Sequence, residues 1–257
     1  SGRVIGASKI ARDVSQQREA QRQKDQFLAI LAHELRNPLA PITSALAIME
    51  QSALDEKRRL QALEIAKRQT RHMADLLDDL LDIARISTGQ VELKPSRFEL
   101  GALAGHAVDA VRPQMDAKNH TVEVKLPSDP IWMVADEVRT LQIVSNLLTN
   151  AAKYTPAGGR IGVIVRKVAD YAEVRVIDNG TGLSQRMKES LFTLFARGDD
   201  PQSRSAGGLG IGLALVREFV ERQGGTVEAV SEGPGRGSEF IVRLPLERAH
   251  EPTYRVN

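Results

Sequence analysis

The sequence predicts an α+β protein: a helical hairpin that forms a dimeric four-helix bundle, followed by an α/β sandwich. Three observations carry this. From Phe27 to about Ile86 apolar residues recur at steps of three and four, with one break near Gln51 to Asp55. After Pro95 the texture changes, and short helical and strand patterns mix as far as Leu244. Hydrophobic residues make up 42% of 257 residues, enough for a sizeable core, but aromatics are only 4%, so that core must be aliphatic.

The elements follow in order. Arg3 to Ser15 mixes β-branched residues with glycine and reads as a last strand and a turn. Gln16 to Lys24 is rich in Gln, Arg, Glu, Lys and Ala, a solvated helix of strong propensity. It continues through Phe27, Leu28, Ile30, Leu31, Leu35, Leu39, Ile42, Leu46 and Met49, which form one apolar face. A second helix runs from about Glu56 to Ile86 and is ended by Ser87-Thr88-Gly89. A lone hairpin cannot bury both apolar stripes, whereas pairing with a second copy can, so a homodimer is expected. Phe98 to Arg112 reads as a helix, and Thr121 to Leu126 alternates like a half-buried strand. Asp136 is placed to cap a helix reaching about Lys153. Strands at Ile161–Val168 and Ala172–Ile177 are close enough to form a hairpin. A short helix at Ser184–Ser190, a loop at Ala196–Leu209 read as mobile, a helix at Ile211–Arg222, and strands at Thr226–Ser231 and Ser238–Leu244 complete the domain. Residues 247–257 read as a polar tail.

Charge and composition exclude several classes. Lys plus Arg total 35 against 33 for Asp plus Glu, a net charge of +2, which offers no nucleic-acid footprint. There are no cysteines, so disulfide frameworks and thiolate metal sites are excluded. No apolar run is long enough to span a membrane, and no membrane contact is expected of this chain. It opens on Ser1 rather than Met, and reads as a piece of something longer.

The segment Phe27 to Leu39 holds the first candidate site. Pro38 sits inside a helical pattern, removes the hydrogen bond to the carbonyl of Glu34, and should bend the helix just after His33. His33 on its own fits a surface histidine beside a kink. A neutral imidazole is also a good nucleophile near pH 7, one nitrogen attacking while the other gives its proton to a base. Glu34 is the available carboxylate, and Asn37 lies one turn on, able to orient a water or a phosphoryl oxygen.

Four clusters follow. Asn146, Asn150 and Lys153 share a face of the helix after Asp136. They form either a solvated face or a set suited to Mg²⁺ and phosphates: amide oxygens for the hard cation, a point charge for the anion. Asp178-Asn179-Gly180-Thr181-Gly182 ends a strand. It is a turn, or a carboxylate that accepts a hydrogen bond from an exocyclic amine such as adenine's. Gly207-Gly208-Leu209-Gly210-Ile211-Gly212 runs straight into a helix whose backbone N–H groups can hold a triphosphate. Gly235-Arg236-Gly237-Ser238 reads as a tight turn before the last strand. Neither a dinucleotide fingerprint nor a Walker pattern is present.

In this order these blocks resemble the sensor histidine kinases of two-component systems, over about residues 25 to 246. His33 to Leu39 resembles the phosphoacceptor box, Asn146 to Thr155 the asparagine box, and Asp178 to Gly182 the first glycine box. Phe192-Thr193-Leu194-Phe195 resembles the phenylalanine box, and Gly207 to Gly212 and Gly235 to Gly237 the remaining glycine boxes. The resemblance implies a dimerisation and phosphotransfer domain at 27–90 and an ATP-binding domain of the Hsp90–gyrase–MutL type at 96–246. It implies that His33 takes the γ-phosphoryl of ATP with Glu34 as base. Asn150 would hold Mg²⁺ with support from Asn146, Lys153 would contact phosphate, Tyr154 the adenosine and Asp178 the adenine amine. Gly180, Gly182, Gly208, Leu209, Gly210, Ile211 and Gly212 would line the nucleotide, and Arg197 would reach its γ-phosphate. The partner would be the receiver domain of a response regulator, and the setting cytoplasmic. Asn37 stands where many relatives carry Thr, and phosphatase activity on that partner is expected. Residues 1–15 resemble the end of a PAS sensor domain, which would place a sensor upstream, with 16–26 as a signalling coiled coil. The competing readings are an adapter without catalysis, which the intact boxes oppose, and a stand-alone ATPase, which leaves the histidine helix unexplained.

Overall fold

The computed structural model describes residues 15–50, 55–194, 196 and 209–246. The strand expected at the start of the chain, the connection between the two long helices, most of the loop after Ala196, and the tail from residue 247 lie outside the described residues. The chain divides into two compact units, Ser1–Ala74 and Asp75–Asn257.

The first unit is built from α1 (Ser15–Met49) and the opening turns of α2 (Glu56–Ser87). The helix α1 runs unbroken through Pro38 and Pro41, so the prolines do not end it. Its tightest positions are small or polar: Glu34, Pro38 and Ala45 are buried, as is Ala62 on α2. The larger apolar side chains Leu39, Leu46, Leu60, Leu63 and Ile65 are exposed. A single hairpin therefore leaves its leucine stripe uncovered, as the periodicity predicts.

The division between the units falls inside α2, ahead of the connection around residues 87–97. The physical reason is Asp82. Its buried carboxylate accepts hydrogen bonds from Arg139 Nη1 (2.6 Å) and Gln142 Nε2 (3.0 Å), tying the last turns of α2 to the next domain. Past Ser87 the helix is closed by Gly89, whose φ of 68° favours glycine, with Gln90 N–H donating back to the Arg85 carbonyl at 2.8 Å.

The rest of the second unit contains β1 (Pro95–Glu99), α3 (Leu100–Asp116), β2 (Thr121–Lys125), β3 (Trp132–Asp136) and α4 (Glu137–Tyr154). After these come β4 (Arg160–Val168), β5 (Tyr171–Asp178), α5 (Gln185–Ser190), α6 (Gly212–Arg222), β6 (Thr226–Val230) and β7 (Ser238–Pro245). Five strands form one sheet in the order β2-β4-β5-β7-β6, with β2 parallel to β4 and the other pairs antiparallel. Helices α3, α4 and α6 cover one face, where Val163, Val165, Val174, Val176 and Val242 meet Ile143, Leu147, Leu148, Leu215 and Phe219, all buried. The core is aliphatic, as the composition requires.

Two strands are not in the sequence reading. The sequence pattern places Phe98 on a helix, yet it lies on β1, which pairs antiparallel with β3. The helix begins only at Leu100, because Glu99 is its cap. The Glu99 carboxylate accepts from Gly101 N–H at 2.8 Å and from Ala102 N–H, and takes a third bond from Ile131 N–H at 3.2 Å. It also ends at Asp116 rather than Arg112, with Pro113 inside its last turn. The expected cap at Asp136 is present: its Oδ1 accepts from Arg139 N–H at 3.0 Å.

The uncovered face of the sheet carries a buried carboxylate. Glu173 on β5 stands directly across from Arg166 on β4 and Arg243 on β7. It accepts from Arg166, Arg175 and Arg243, each at 2.7 Å, and Arg175 continues to Glu239 at 2.7 Å. Burial alone pushes the Glu173 carboxyl up, but the three guanidinium hydrogen bonds outweigh it and hold the pKa at about 2. The cluster staples together the strands that end in Asp178 and begin at Ser238.

Candidate active site

Helix α1 presents His33 to solvent, its side chain 67% exposed. The side chain of Asn37, one turn on, lies 3.3 Å from His33 Nδ1. The buried carboxylate of Glu34 stands 3.9 Å from the same nitrogen. Both neighbours therefore address Nδ1, and among the described residues none contacts Nε2. The contact from Asn37 is its donor Nδ2, which suits Nδ1 as an acceptor, whereas the Glu34 carboxylate suits Nδ1 as a donor; in the tautomer with its proton on Nδ1, that proton faces Glu34 and Nε2 carries the exposed lone pair. The three residues expected to act together on this helix are together.

In the second unit the nucleotide candidates converge from four segments. Asn146, Asn150, Lys153 and Tyr154 are half-buried along the last turns of α4. Asn146 Nδ2 donates to the carbonyl of Gly212 at 3.3 Å, joining the asparagine helix to the start of α6. Lys153 Nζ sits 4.7 Å from the centroid of the Tyr154 ring. Leu209 and Ile211 are buried, and Gly210 between them has a φ of 69°. Ile211, the residue before α6, offers no side-chain cap, so the first N–H groups of that helix depend on another acceptor. Arg197 and Gly208 lie outside the described residues.

Asp178 is buried at the end of β5. Its Oδ1 accepts from Gly180 N–H at 2.8 Å and its Oδ2 from Ser238 Oγ at 2.5 Å. The turn is stitched to both neighbours: Thr181 N–H donates to the Tyr154 carbonyl at 3.2 Å, and Gly235 N–H to the Thr181 carbonyl at 2.6 Å. Gly180 is required for closeness, since a Cβ there would stand 2.5 Å from the Tyr154 carbonyl oxygen. Gly182 has a φ of 67° and packs on the Gly233 carbonyl with no room for a side chain.

Three residues beyond the sequence reading belong to this neighbourhood. Ser238 is expected at the junction of a turn and the last strand, with no role in the site, yet its hydroxyl donates to Asp178 across 60 residues of chain. Lys118 and His120, from the loop after α3, bind the carbonyls at the end of α4. Ser238 had a local signal in the Gly-Arg-Gly-Ser turn; Lys118 and His120 had none.

Among the described residues no group of three or more His, Cys, Asp or Glu side chains could hold a metal. The half-buried side chain of Asn150 offers an amide oxygen, a donor type that hard divalent cations accept. Among the described residues no helix is long and apolar enough to cross a membrane.

Two family models match the chain. The His kinase A phosphoacceptor domain covers residues 23–89, and the histidine kinase-, DNA gyrase B- and HSP90-like ATPase covers residues 135–248. The chain is 35% identical over 223 residues to the probable sensor histidine kinase TcrY of Mycobacterium tuberculosis, matching 86% of this chain and 46% of that protein. It is 30% identical over 250 residues to the sensor protein kinase WalK of Staphylococcus saprophyticus, matching 96% of this chain and 40% of that protein. The chain thus spans less than half the length of these two curated relatives. The fold is also that of the Acinetobacter baumannii histidine kinase AdeS, with a TM-score of 0.60 at 22% identity, over 84% of this chain and 98% of that one. With the phosphoacceptor model on the hairpin and the ATPase model on the sandwich, in that order and together taking in more than half of its length, this chain belongs to the sensor histidine kinases of two-component signalling.

Proposed function

We propose that this chain autophosphorylates His33 from Mg-ATP and passes the phosphoryl group to an aspartate on the receiver domain of a response regulator. The observation that carries the reading is the setting of His33: exposed, with the Glu34 carboxylate 3.9 Å from Nδ1, which supports Glu34 as the base at Nδ1 and Nε2 as the nucleophile. In the transfer, an N–P bond forms at Nε2 as the bond from Pγ to the bridging oxygen breaks and ADP leaves. The Nδ1 proton passes to Glu34. A shift of about 1 Å brings that carboxylate from ion-pair to hydrogen-bond distance. Asn146, Asn150, Lys153 and the start of α6 bind and orient the triphosphate, Tyr154 contacts the adenosine, Arg197 reaches the γ-phosphate, and Asp178 accepts a hydrogen bond from the adenine amine. Asn150 holds Mg²⁺, which supplies charge neutralisation for the phosphates.

The rest of the proposal follows the same logic. The exposed leucines of the hairpin support a homodimer. Asn37, within reach of the phosphorylated position, supports a phosphatase role in which its amide orients a water against the partner's acyl phosphate. A PAS-type sensor precedes the chain, and the catalytic unit works in the cytoplasm.

The test is incubation with γ-labelled ATP and Mg²⁺. The expected product carries acid-labile, base-stable label, and His33→Gln carries none. Label retained by the variant overturns the His33 assignment; steady ATP turnover with no phosphoprotein overturns the kinase reading in favour of a stand-alone ATPase.

A further inference from the structure

The cap of α4, Thr155, is extended (φ −87°, ψ 128°), and Pro156 stands next where a left-handed glycine would commonly close a helix. The last carbonyls would be left over, yet they are all taken. Lys118 Nζ donates to the carbonyls of Ala152 and Lys153, both at 2.8 Å, with that of Thr155 at 3.4 Å. His120 Nε2 lies 3.2 Å from the Thr155 carbonyl and 3.1 Å from that of Pro156, so Nε2 carries the proton. The carbonyl between them, on Tyr154, belongs to Thr181 N–H of the Asp178 turn. The junction is anchored on its far side too, where Gly158 N–H donates to the Lys118 carbonyl at 2.8 Å.

This division of partners has a functional meaning. The Asp178 turn holds α4 through Tyr154. The loop after α3 holds it through Ala152 and Lys153, the turn that presents Asn150 and Lys153. Lys118 also places a positive charge at the negative end of the helix dipole, close behind Lys153. Burial first, and then the charge of Lys153, lowers the Lys118 pKa, so the two ammonium groups sense one another.

We infer that Lys118 is a positioning residue for the phosphates of the bound nucleotide: by gripping the Ala152 and Lys153 carbonyls it sets where Asn150 and Lys153 meet the phosphate chain, without touching the adenine end. The inference rests on the reading of this unit as the nucleotide site.

The test is calorimetric titration of the full chain, in Mg²⁺, with a non-hydrolysable ATP analogue, ADP and adenosine. Lys118→Met raises the dissociation constants of the two phosphorylated ligands about tenfold, the scale of one lost charged hydrogen bond, and leaves adenosine within about twofold. Lys118→Arg, which keeps charge and donors, recovers most of the loss. Val165→Ala, a core truncation on β4 paired with Val174 and four residues along the strand from the Ile161–Asp178 pair, lowers the melting temperature and moves none of the three constants. An ATP-analogue affinity unchanged in Lys118→Met, or an adenosine affinity that falls by the same factor, overturns the inference while the nucleotide reading stands. Wild-type protein that binds none of the three overturns both.

Discussion

Glu173→Gln is the substitution whose outcome the structure constrains most tightly. The wild-type carboxylate is 1% exposed and is hydrogen-bonded by Arg166, Arg175 and Arg243. The amide keeps the shape but removes the charge, leaving three guanidinium groups around a neutral centre. Removing one partner of a buried ionic cluster costs about 3–5 kcal/mol. The proton linkage agrees: a carboxyl held at about 2 against an ordinary 4.5 contributes about 3 kcal/mol at neutral pH. That corresponds to a fall of about 6–12 °C in the melting temperature of a domain this size. Because the folded pKa lies below the unfolded one, the contribution is present above about pH 4.5 and is lost as pH falls towards 2. The gap between wild type and variant should therefore be full at pH 7 and more than half gone by pH 3. Trp132, the one tryptophan in the chain, sits on β3 in the same unit and reports urea unfolding by fluorescence. A variant within about 1 kcal/mol of wild type at pH 7, or a gap that does not narrow with acid, refutes the argument.

Two further outcomes follow from the same reasoning. Asp79, beside Asp75, Asp78 and Asp82 on α2, has its pKa raised from 3.8 to about 6, by burial first and then by those neighbours. A raised pKa means that stability is full below about pH 4 and is lost as pH rises through 6, so Asp79→Asn should be more stable than wild type by about 1–2 kcal/mol at pH 7 and equal to it at pH 4, read by urea titration at both. Gly180→Ala drives a Cβ against the Tyr154 carbonyl oxygen and the Asp178 carboxylate, and should weaken binding of the ATP analogue at least about tenfold by titration; unchanged affinity shows that the turn can open without harm.

The sequence alone carried most of the long-range conclusion because its signals are local. Three- and four-residue periodicity writes the long helices, Asp136 caps α4, and the Asn-rich and Gly-rich blocks retain their spacing whatever surrounds them. What the sequence could not carry depends on residues far apart in the chain. The strands β1 and β3 are five residues each and exist only because they pair, so Phe98 looked helical until Trp132–Asp136 lay beside it. The prolines of α1 signalled a bend; the helix continues past both, each leaving one backbone carbonyl without its helical donor. Asp178 was legible as a candidate, whereas its bond to Ser238 required β5 and β7 to be neighbours. Glu173 and Lys118 are ordinary charged residues in the sequence. Only the sheet register surrounds the first with three arginines, and only the close approach of the α3–β2 loop puts the second under the carbonyls of α4. The helices and motif blocks are properties of adjacent residues; the placement of charge behind the site is a property of the packed fold.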